Sequence, residues 1–482
     1  MNPAGEQRRG STPLLILLCL AQFMVILDVS IVNVALPSIK DGLGFSTAAL
    51  AWVVDAYAIV FAGFLLLGGR SADVLGARRT FLAGTVLFSV ASLAAALAST
   101  QGQLLGARAV QGLGAAVISP ASLAVITHSF SEGRERTRAV GVWGAMAGLG
   151  GTSGALAGGV LTQAIGWEAI FLVNIPIGAA VVFLGPRLIP ADPPSTAGAR
   201  SHFDALGAIL VTAGLTALVY GIVRTDNLSW GSPGVLGPVA ASAALIAAFV
   251  WVEARVASRP LMPLQIFARP ALRIANIAML LLAATTFSMW FLVSLYLQQV
   301  LGSSPLLTGV EFLPLTLSVV AGTIVATRLI NRVGTRPVLV GGLFSISLGL
   351  ALLSGVSPDG GYFINTVPGG MFTTFGLGLA MVAATVSAVQ GVPASEAGLA
   401  SGLINTSRMV GGSIGVAALT TLAATHSDKL IASGHATADA LSSGFQLAFT
   451  VAAIATFGAA VLTTALLRSD RARVQTAAAS GT

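Results

Sequence analysis

Apolar stretches about twenty residues long recur from end to end of this chain, separated by short polar breaks, and no other feature limits its fold so strongly. A helix rising 1.5 Å per residue needs about 20 mainly apolar residues to cross the hydrocarbon core of a bilayer. Fourteen such stretches are expected, at roughly 14–36, 49–69, 80–98, 103–127, 138–162, 168–187, 204–224, 234–254, 273–300, 308–328, 337–355, 361–388, 397–423 and 444–467. Backbone polar groups in lipid must find partners within the protein, which a run of this length achieves by coiling into a helix. The predicted fold is therefore an all-α integral membrane bundle with 14 transmembrane helices. Composition agrees where it matters. Only 9% of the residues are charged, against roughly 25% in soluble domains, and 56 glycines suit helices that approach closely in lipid.

The net charge of +7 does not mark a nucleic-acid binder, because the basic residues lie singly or in small groups between apolar stretches. They report topology instead. Alternate loops and the tails carry Arg8, Arg9, Arg70, Arg78, Arg79, Arg134, Arg136, Arg138, Arg200, Arg255, Arg259, Arg328, Arg332, Arg336 and Arg468, whereas the loops between them hold Lys40, Arg224 and Lys429. Positive loops stay inside, so both termini of a multi-pass protein are expected on the cytoplasmic side of the inner membrane. Arg8 and Arg9 before a leucine-rich run imitate a secretory signal, but the run continues past Asp28 and is read as a retained first helix. The single cysteine, Cys19, leaves no intrachain disulfide. His128, His202, His426 and His435 lack metal-ligand spacing, so no metal is expected. A phosphate-binding Gly-x-x-x-x-Gly-Lys-Ser/Thr loop and a zinc-binding His-Glu-x-x-His are both absent. An ATP-driven pump or membrane enzyme is thereby disfavoured; a secondary transporter using no cofactor beyond an ion gradient is expected.

One segment is repeated. Gly69-Arg70-Ser71-Ala72-Asp73-Val74-Leu75-Gly76-Ala77-Arg78 returns as Thr327-Arg328-Leu329-Ile330-Asn331-Arg332-Val333-Gly334-Thr335-Arg336, with Arg, Gly and Arg in register. Such internal repeats are typical of transporters whose substrate site lies between two halves near the bilayer midplane. The expected division is a six-helix bundle over 1–187, a linker and two inserted helices over 188–254, and a second six-helix bundle over 255–482. The linker Pro190 to Arg200 is rich in Pro, Ser and Gly.

These patterns coincide with a known family. Leu27-Asp28-Val29-Ser30-Ile31-Val32-Asn33-Val34-Ala35-Leu36-Pro37 resembles the first-helix signature of the fourteen-helix drug:proton antiporters within the major facilitator superfamily, with Ser30 where threonine is usual. Gly69 to Arg79 resembles the superfamily's loop between helices two and three, with Val74 and Ala77 replacing arginines. Leu105-Gly106-Ala107-Arg108-Ala109-Val110-Gln111-Gly112 resembles the motif whose buried arginine is implicated in proton transfer. Gly150, Gly154, Gly158 and Gly159 have the spacing of the antiporter motif, although Ala155 stands in the place of its proline. Gly166 to Gly178 and Ser401 to Arg408 resemble the family's sixth and thirteenth helices. The resemblance covers nearly the whole chain. It implies proton-coupled export of a small hydrophobic drug or antibiotic, cationic compounds included, with resistance as the consequence. Proton-coupled uptake of a small organic nutrient uses the same fold and is the alternative.

An ionisable residue within a membrane helix is costly unless paired, wet or functional. Asp28, Arg108, Asp55 and Glu311 are such residues and are the candidates for proton coupling. Arg108 at the depth of Asp28 or Asp55 would pair with one of them; Asp55 and Glu311 lie near helix ends, where a carboxylate is also simply hydrated. Gly69, Asp73, Gly76, Arg78 and Arg79 form the candidate cytoplasmic gating loop, in which Asp73 and the arginines make a charge lock. The candidate substrate cavity takes Asn33, Gln111, Trp143, Trp290 and Asn405. The glycine ladders fit either close helix packing or a cavity wall. Partners are expected to be the drug, protons and the lipid bilayer, without nucleic acid, and the chain is expected to work as a monomer.

Overall fold

A computed structural model describes residues 11–131, 134–192, 205–226, 228–256, 269–389 and 397–479. Arg8, Arg9, Arg200, His202, Arg259 and most of the Pro190 to Arg200 linker fall outside these residues. Fifteen α-helices, and no strand, are found among the described residues. They are α1 (Thr12–Leu43), α2 (Thr47–Leu75), α3 (Ala77–Ala96), α4 (Gln101–Ser129), α5 (Arg134–Ala164), α6 (Ala169–Leu172), α7 (Asn174–Leu188), α8 (Ala205–Val223), α9 (Pro233–Trp251), α10 (Pro270–Leu295), α11 (Pro305–Val333), α12 (Thr335–Leu353), α13 (Val367–Val389), α14 (Ala397–Ala432) and α15 (Thr437–Ala479).

The starts follow local chemistry. Ser11, Ser46, Thr100 and Ser304 each precede a helix in extended conformation and accept a bond from a first-turn amide through the side-chain oxygen, satisfying a donor that the helix itself leaves open. Gly44 ends α1 with φ 69°, a left-handed turn that glycine adopts without steric cost. Pro37, Pro120 and Pro314 lie inside α1, α4 and α11, as membrane helices tolerate when neighbours re-satisfy the freed carbonyls.

Thirteen spans are long and apolar enough to cross a membrane among the described residues, one fewer than the fourteen expected. The remaining one, expected over 138–162, falls in α5, whose 31 residues suffice in length and many of whose side chains lie outside the described ones. The sixth span is made by α6 and α7 together, as Ala169–Leu188.

Within the first half, α1 packs on α5, and α4 on α2 and α3; within the second, α10 packs on α14, and α13 on α11 and α12. Small residues make these approaches possible. A Cβ on Gly112 would fall 2.4 Å from the Tyr57 carbonyl oxygen, and one on Gly158 would fall 2.7 Å from that of Ile31. The halves meet along two seams, α2 on α14 and α5 on α11, and the α8–α9 hairpin packs on both α2 and α14.

The second seam is tight. A Cβ on Gly309 would lie 2.6 Å from the Ala155 carbonyl, and one on Gly159 would lie 2.6 Å from that of Pro305. Three bonds clasp the halves at the same end. Ser294 Oγ donates to the Asn33 carbonyl at 2.6 Å, Gln298 Nε2 to the Val34 carbonyl at 2.9 Å, and the Leu306 amide to Gln163 Oε1 at 3.2 Å.

Candidate functional site

The central polar feature is a network buried inside the first half. Asp28 from α1 and Arg108 from α4 are 0% and 1% exposed, and Arg108 Nη1 donates to Asp28 Oδ2 at 2.5 Å. The other carboxylate oxygen, Oδ1, accepts from Gln111 Nε2 at 3.1 Å and from Asn174 Nδ2 at 2.9 Å. Gln111 lies one turn after Arg108, so both face Asp28; its Oε1 in turn accepts from Arg108 Nη1 at 2.9 Å. Ser92 of α3 closes the ring by accepting from Gln111 at 2.8 Å and from Asn174 at 3.3 Å. Arg108 Nε donates to the Val53 carbonyl of α2 at 2.9 Å, and its guanidinium lies 4.6 Å from the Tyr57 ring centre. Four spanning segments thus converge on one carboxylate.

Such a pair is held by its completeness. Bringing two charges out of water is costly, and their attraction offsets the cost only when remaining donors and acceptors are also satisfied. The same fact makes it responsive. Protonation of Asp28 would remove the charge that holds Arg108 in an apolar core, and withdrawal of Arg108 would leave Asp28 an unpaired acid.

The other candidates are distributed. Asp55 is 0% exposed on α2, with the Ser413 side chain of α14 beside its carboxyl. Glu311 is 8% exposed on α11, where Oε1 accepts from Ser303 Oγ at 3.3 Å, and Oε2 has no partner. Neighbouring helices cover the turn that carries Asp55. Glu311 belongs to the second half and stands apart from the Asp28 network.

The candidate cavity residues are spread over both halves. Gln111, expected on a cavity wall, is 0% exposed and bound into the network. Asn33 donates to the Val29 carbonyl of its own helix at 3.2 Å. Trp143 Nε1 donates to Ser122 Oγ at 3.0 Å in the core of the first half, and Trp290 meets Phe312 edge-on at 5.1 Å in the second. Asn405 is half-buried on α14. A separate apolar groove of about 620 Å³ runs between α1 and α5, lined by residues that include Cys19, Phe23, Val142 and Met146, with Glu135 and Arg138 at one end.

In the gating loop, Gly76 has φ 96° and marks the break between α2 and α3. Asp192, which follows α7, reaches back to this break. Its Oδ1 accepts from the Arg78 amide at 2.9 Å, and its Oδ2 from the Arg79 amide at 3.1 Å. Arg78 Nη2 donates to the Pro186 carbonyl at 2.8 Å. The side chains of Arg70 and Asp73 lie outside the described ones, as does the expected charge lock on Asp73. A Cβ on Gly69 would lie 3.5 Å from the Pro120 side chain, an ordinary contact.

Sequence reasoning missed Ser92, Asn174 and Asp192 as members of these clusters. Asn174 alone carried a signal, an amide inside an apolar run just before Pro176.

Residues 18–416 match the family described as the Major Facilitator Superfamily. A cephamycin export protein from Amycolatopsis lactamdurans is 41% identical over 413 residues, covering 86% of this chain and 85% of that one. A puromycin resistance protein from Streptomyces alboniger is 37% identical over 455 residues, covering 94% and 90%. A solved bacterial homologue of the human lysosomal transporter Spinster, in an inward-facing and unoccupied conformation, superposes with a TM-score of 0.69 over 95% of this chain and 98% of that one, at 16% identity.

Proposed function

As this chain is a member of the major facilitator superfamily, a transporter and not an enzyme, we propose that it exports hydrophobic drugs or antibiotics across the cytoplasmic membrane in exchange for protons. Export is supported by relatives at 33–41% identity whose names are those of antibiotic export and resistance proteins. Proton coupling is our reading of one observation: a carboxylate buried among membrane helices with three donors converging on it, the chief of which is an arginine.

In this reading the clasped end, where Ser294 and Gln298 of the second half bond α1, is the outer one, and both termini are cytoplasmic. A substrate entering from the cytoplasm disturbs Arg108, Asp28 changes its protonation, and the clasp opens once the network has been reset. The apolar groove between α1 and α5 would give a lipophilic compound a path from the inner leaflet. The resulting phenotype is resistance, and a single chain suffices.

The test is efflux of puromycin, and of ethidium as a cationic probe, from energised cells that express the chain. Wild type lowers cell-associated probe, and a protonophore abolishes the effect. Asp28→Asn, expressed to the same level, behaves as the empty vector. Protonophore-insensitive efflux would refute proton coupling, and gradient-driven accumulation would make the protein an uptake permease.

A further inference from the structure

Arg408 of α14 is a cation in the seam between the halves that the Asp28 network does not use. It lies five residues into the span Leu403–Ala432, and its neighbour Met409 belongs to the core of the first half together with Tyr57 and Phe61. Its Nε is buried without a partner, the side chain as a whole is half-buried, and no ion pair reaches it among the described residues. The Tyr57 hydroxyl of α2 is also buried and without a partner. The two groups are within electrostatic reach of each other. A cation of the second half and a hydroxyl of the first, both unsatisfied, thus stand together at the seam.

Such an arrangement is costly as it stands. A guanidinium does not lose its proton in a protein, so a buried arginine cannot become neutral and needs an anion or water beside it. The acids nearby do not serve. Asp28 is engaged by Arg108, and Asp55 lies against Ser413, five residues and about 7–8 Å further along α14. Asp73 is about 24 Å beyond Tyr57 along α2. The other helices that pack on α14 bring none: α8 has no Asp or Glu from Ala205 to Val223, nor has α10 from Pro270 to Leu295. The tyrosine hydroxyl is a donor as well. What both groups lack is an acceptor, and a carboxylate offers two oxygens in the planar geometry that arginine meets with paired N–H bonds.

We propose that Arg408 and Tyr57 form a binding site for an acidic group on the transported compound, a carboxylate borne by an otherwise apolar molecule. One half of the transporter supplies the cation and the other the hydroxyl, so the ligand bridges the seam. The site also adjoins the buried pair of the first half. The Arg108 guanidinium lies 4.6 Å from the centre of the Tyr57 ring, so a carboxylate held at the hydroxyl acts on Arg108 through that ring. The part this site plays in transport rests on the export reading above, whereas its preference for an acid does not.

A rhodamine dye with a free carboxylate and the methyl ester of the same dye differ at the one group that matters. Fluorescence anisotropy of each with the purified full-length protein in detergent gives the two dissociation constants. Wild type holds the free acid about tenfold or more tightly than the ester. Arg408→Gln removes that preference and leaves the ester constant unchanged, Arg408→Lys keeps most of it, and Tyr57→Phe weakens binding of the acid alone by several-fold. Equal constants in wild type, or binding of neither dye, overturn the site. So does an equal loss for both dyes in Arg408→Gln, which marks an arginine that shapes the fold and not the ligand. Where the glutamine variant does not fold, a lysine variant without acid preference, or a phenylalanine variant with all of it, overturns the site in its place. Protonophore-insensitive efflux with the acid preference intact would refute the antiport reading alone.

Discussion

Removing one member of the Asp28–Arg108 pair should cost far more than removing both. Asp28 accepts on both oxygens: from Arg108 on one, and from Gln111 and Asn174 on the other. Asparagine turns one of those positions into an NH2 group, so a donor must face a donor either toward Arg108 or toward the two amides. Arg108, 1% exposed, is also left without a counter-charge. Breaking a buried pair in this way costs about 3–5 kcal/mol, and at ~1.4 kcal/mol per tenfold the unfolding equilibrium shifts by two orders of magnitude or more. Replacing both, as in Asp28→Leu with Arg108→Met, removes two desolvation costs together and leaves Ser92 bonded to Gln111 and Asn174. The double variant should therefore be more stable than either single, which requires a coupling larger than the ~3 kcal/mol that a single loss costs, while remaining dead in ethidium efflux. Melting curves of all four proteins in detergent, with efflux from matched cells, make the comparison. Additive losses in the double variant, or efflux surviving in Asp28→Asn, would refute the view that the two residues act as one buried unit.

The seam and the loop give two further tests. Gly309→Val places a side chain 2.6 Å or less from the Ala155 carbonyl, so the α5–α11 contact should be held apart; a double-cysteine pair across residues 159 and 306 should crosslink several-fold less in this variant than in its absence. Gly76→Ala combines a φ of 96° with a Cβ 2.3 Å from the Asp192 carboxyl carbon, strain of about 1–3 kcal/mol; it should lower the melting temperature, whereas an unchanged midpoint would show that the break between α2 and α3 adapts freely.

The fold was legible because lipid leaves little choice: runs of about twenty apolar residues must coil, and thirteen of the expected spans are found. The fourteenth expected span coincides with α5, a helix of 31 residues. Asp28 and Arg108 stood out for the same reason in reverse, since ionisable groups are rare at such depth. Their company was hidden. Ser92, Gln111 and Asn174 are neutral residues of kinds scattered along every helix, and only the crossing of α1, α3, α4 and α7 decides which of them meet. Asp192 was hidden more completely, because an acid in a loop is ordinary until the fold carries it to an amide 114 residues earlier. The depth of Asp55 and Glu311 could not be counted from helix ends, as their cover comes from other helices.

At the clasp, Ser294 and Gln298 grip the carbonyls of Asn33 and Val34, and Gln163 takes the amide of Leu306. On the gripped side every partner is main chain, which all residues possess. Positions 33, 34 and 306 are thus free to vary without unfastening the latch, whereas a change at 163, 294 or 298 weakens it by one bond. Opening speed and the chemistry of recognition can then evolve on separate residues, so a lineage meeting a new toxin could alter what it expels while keeping its tempo, or adjust its tempo alone.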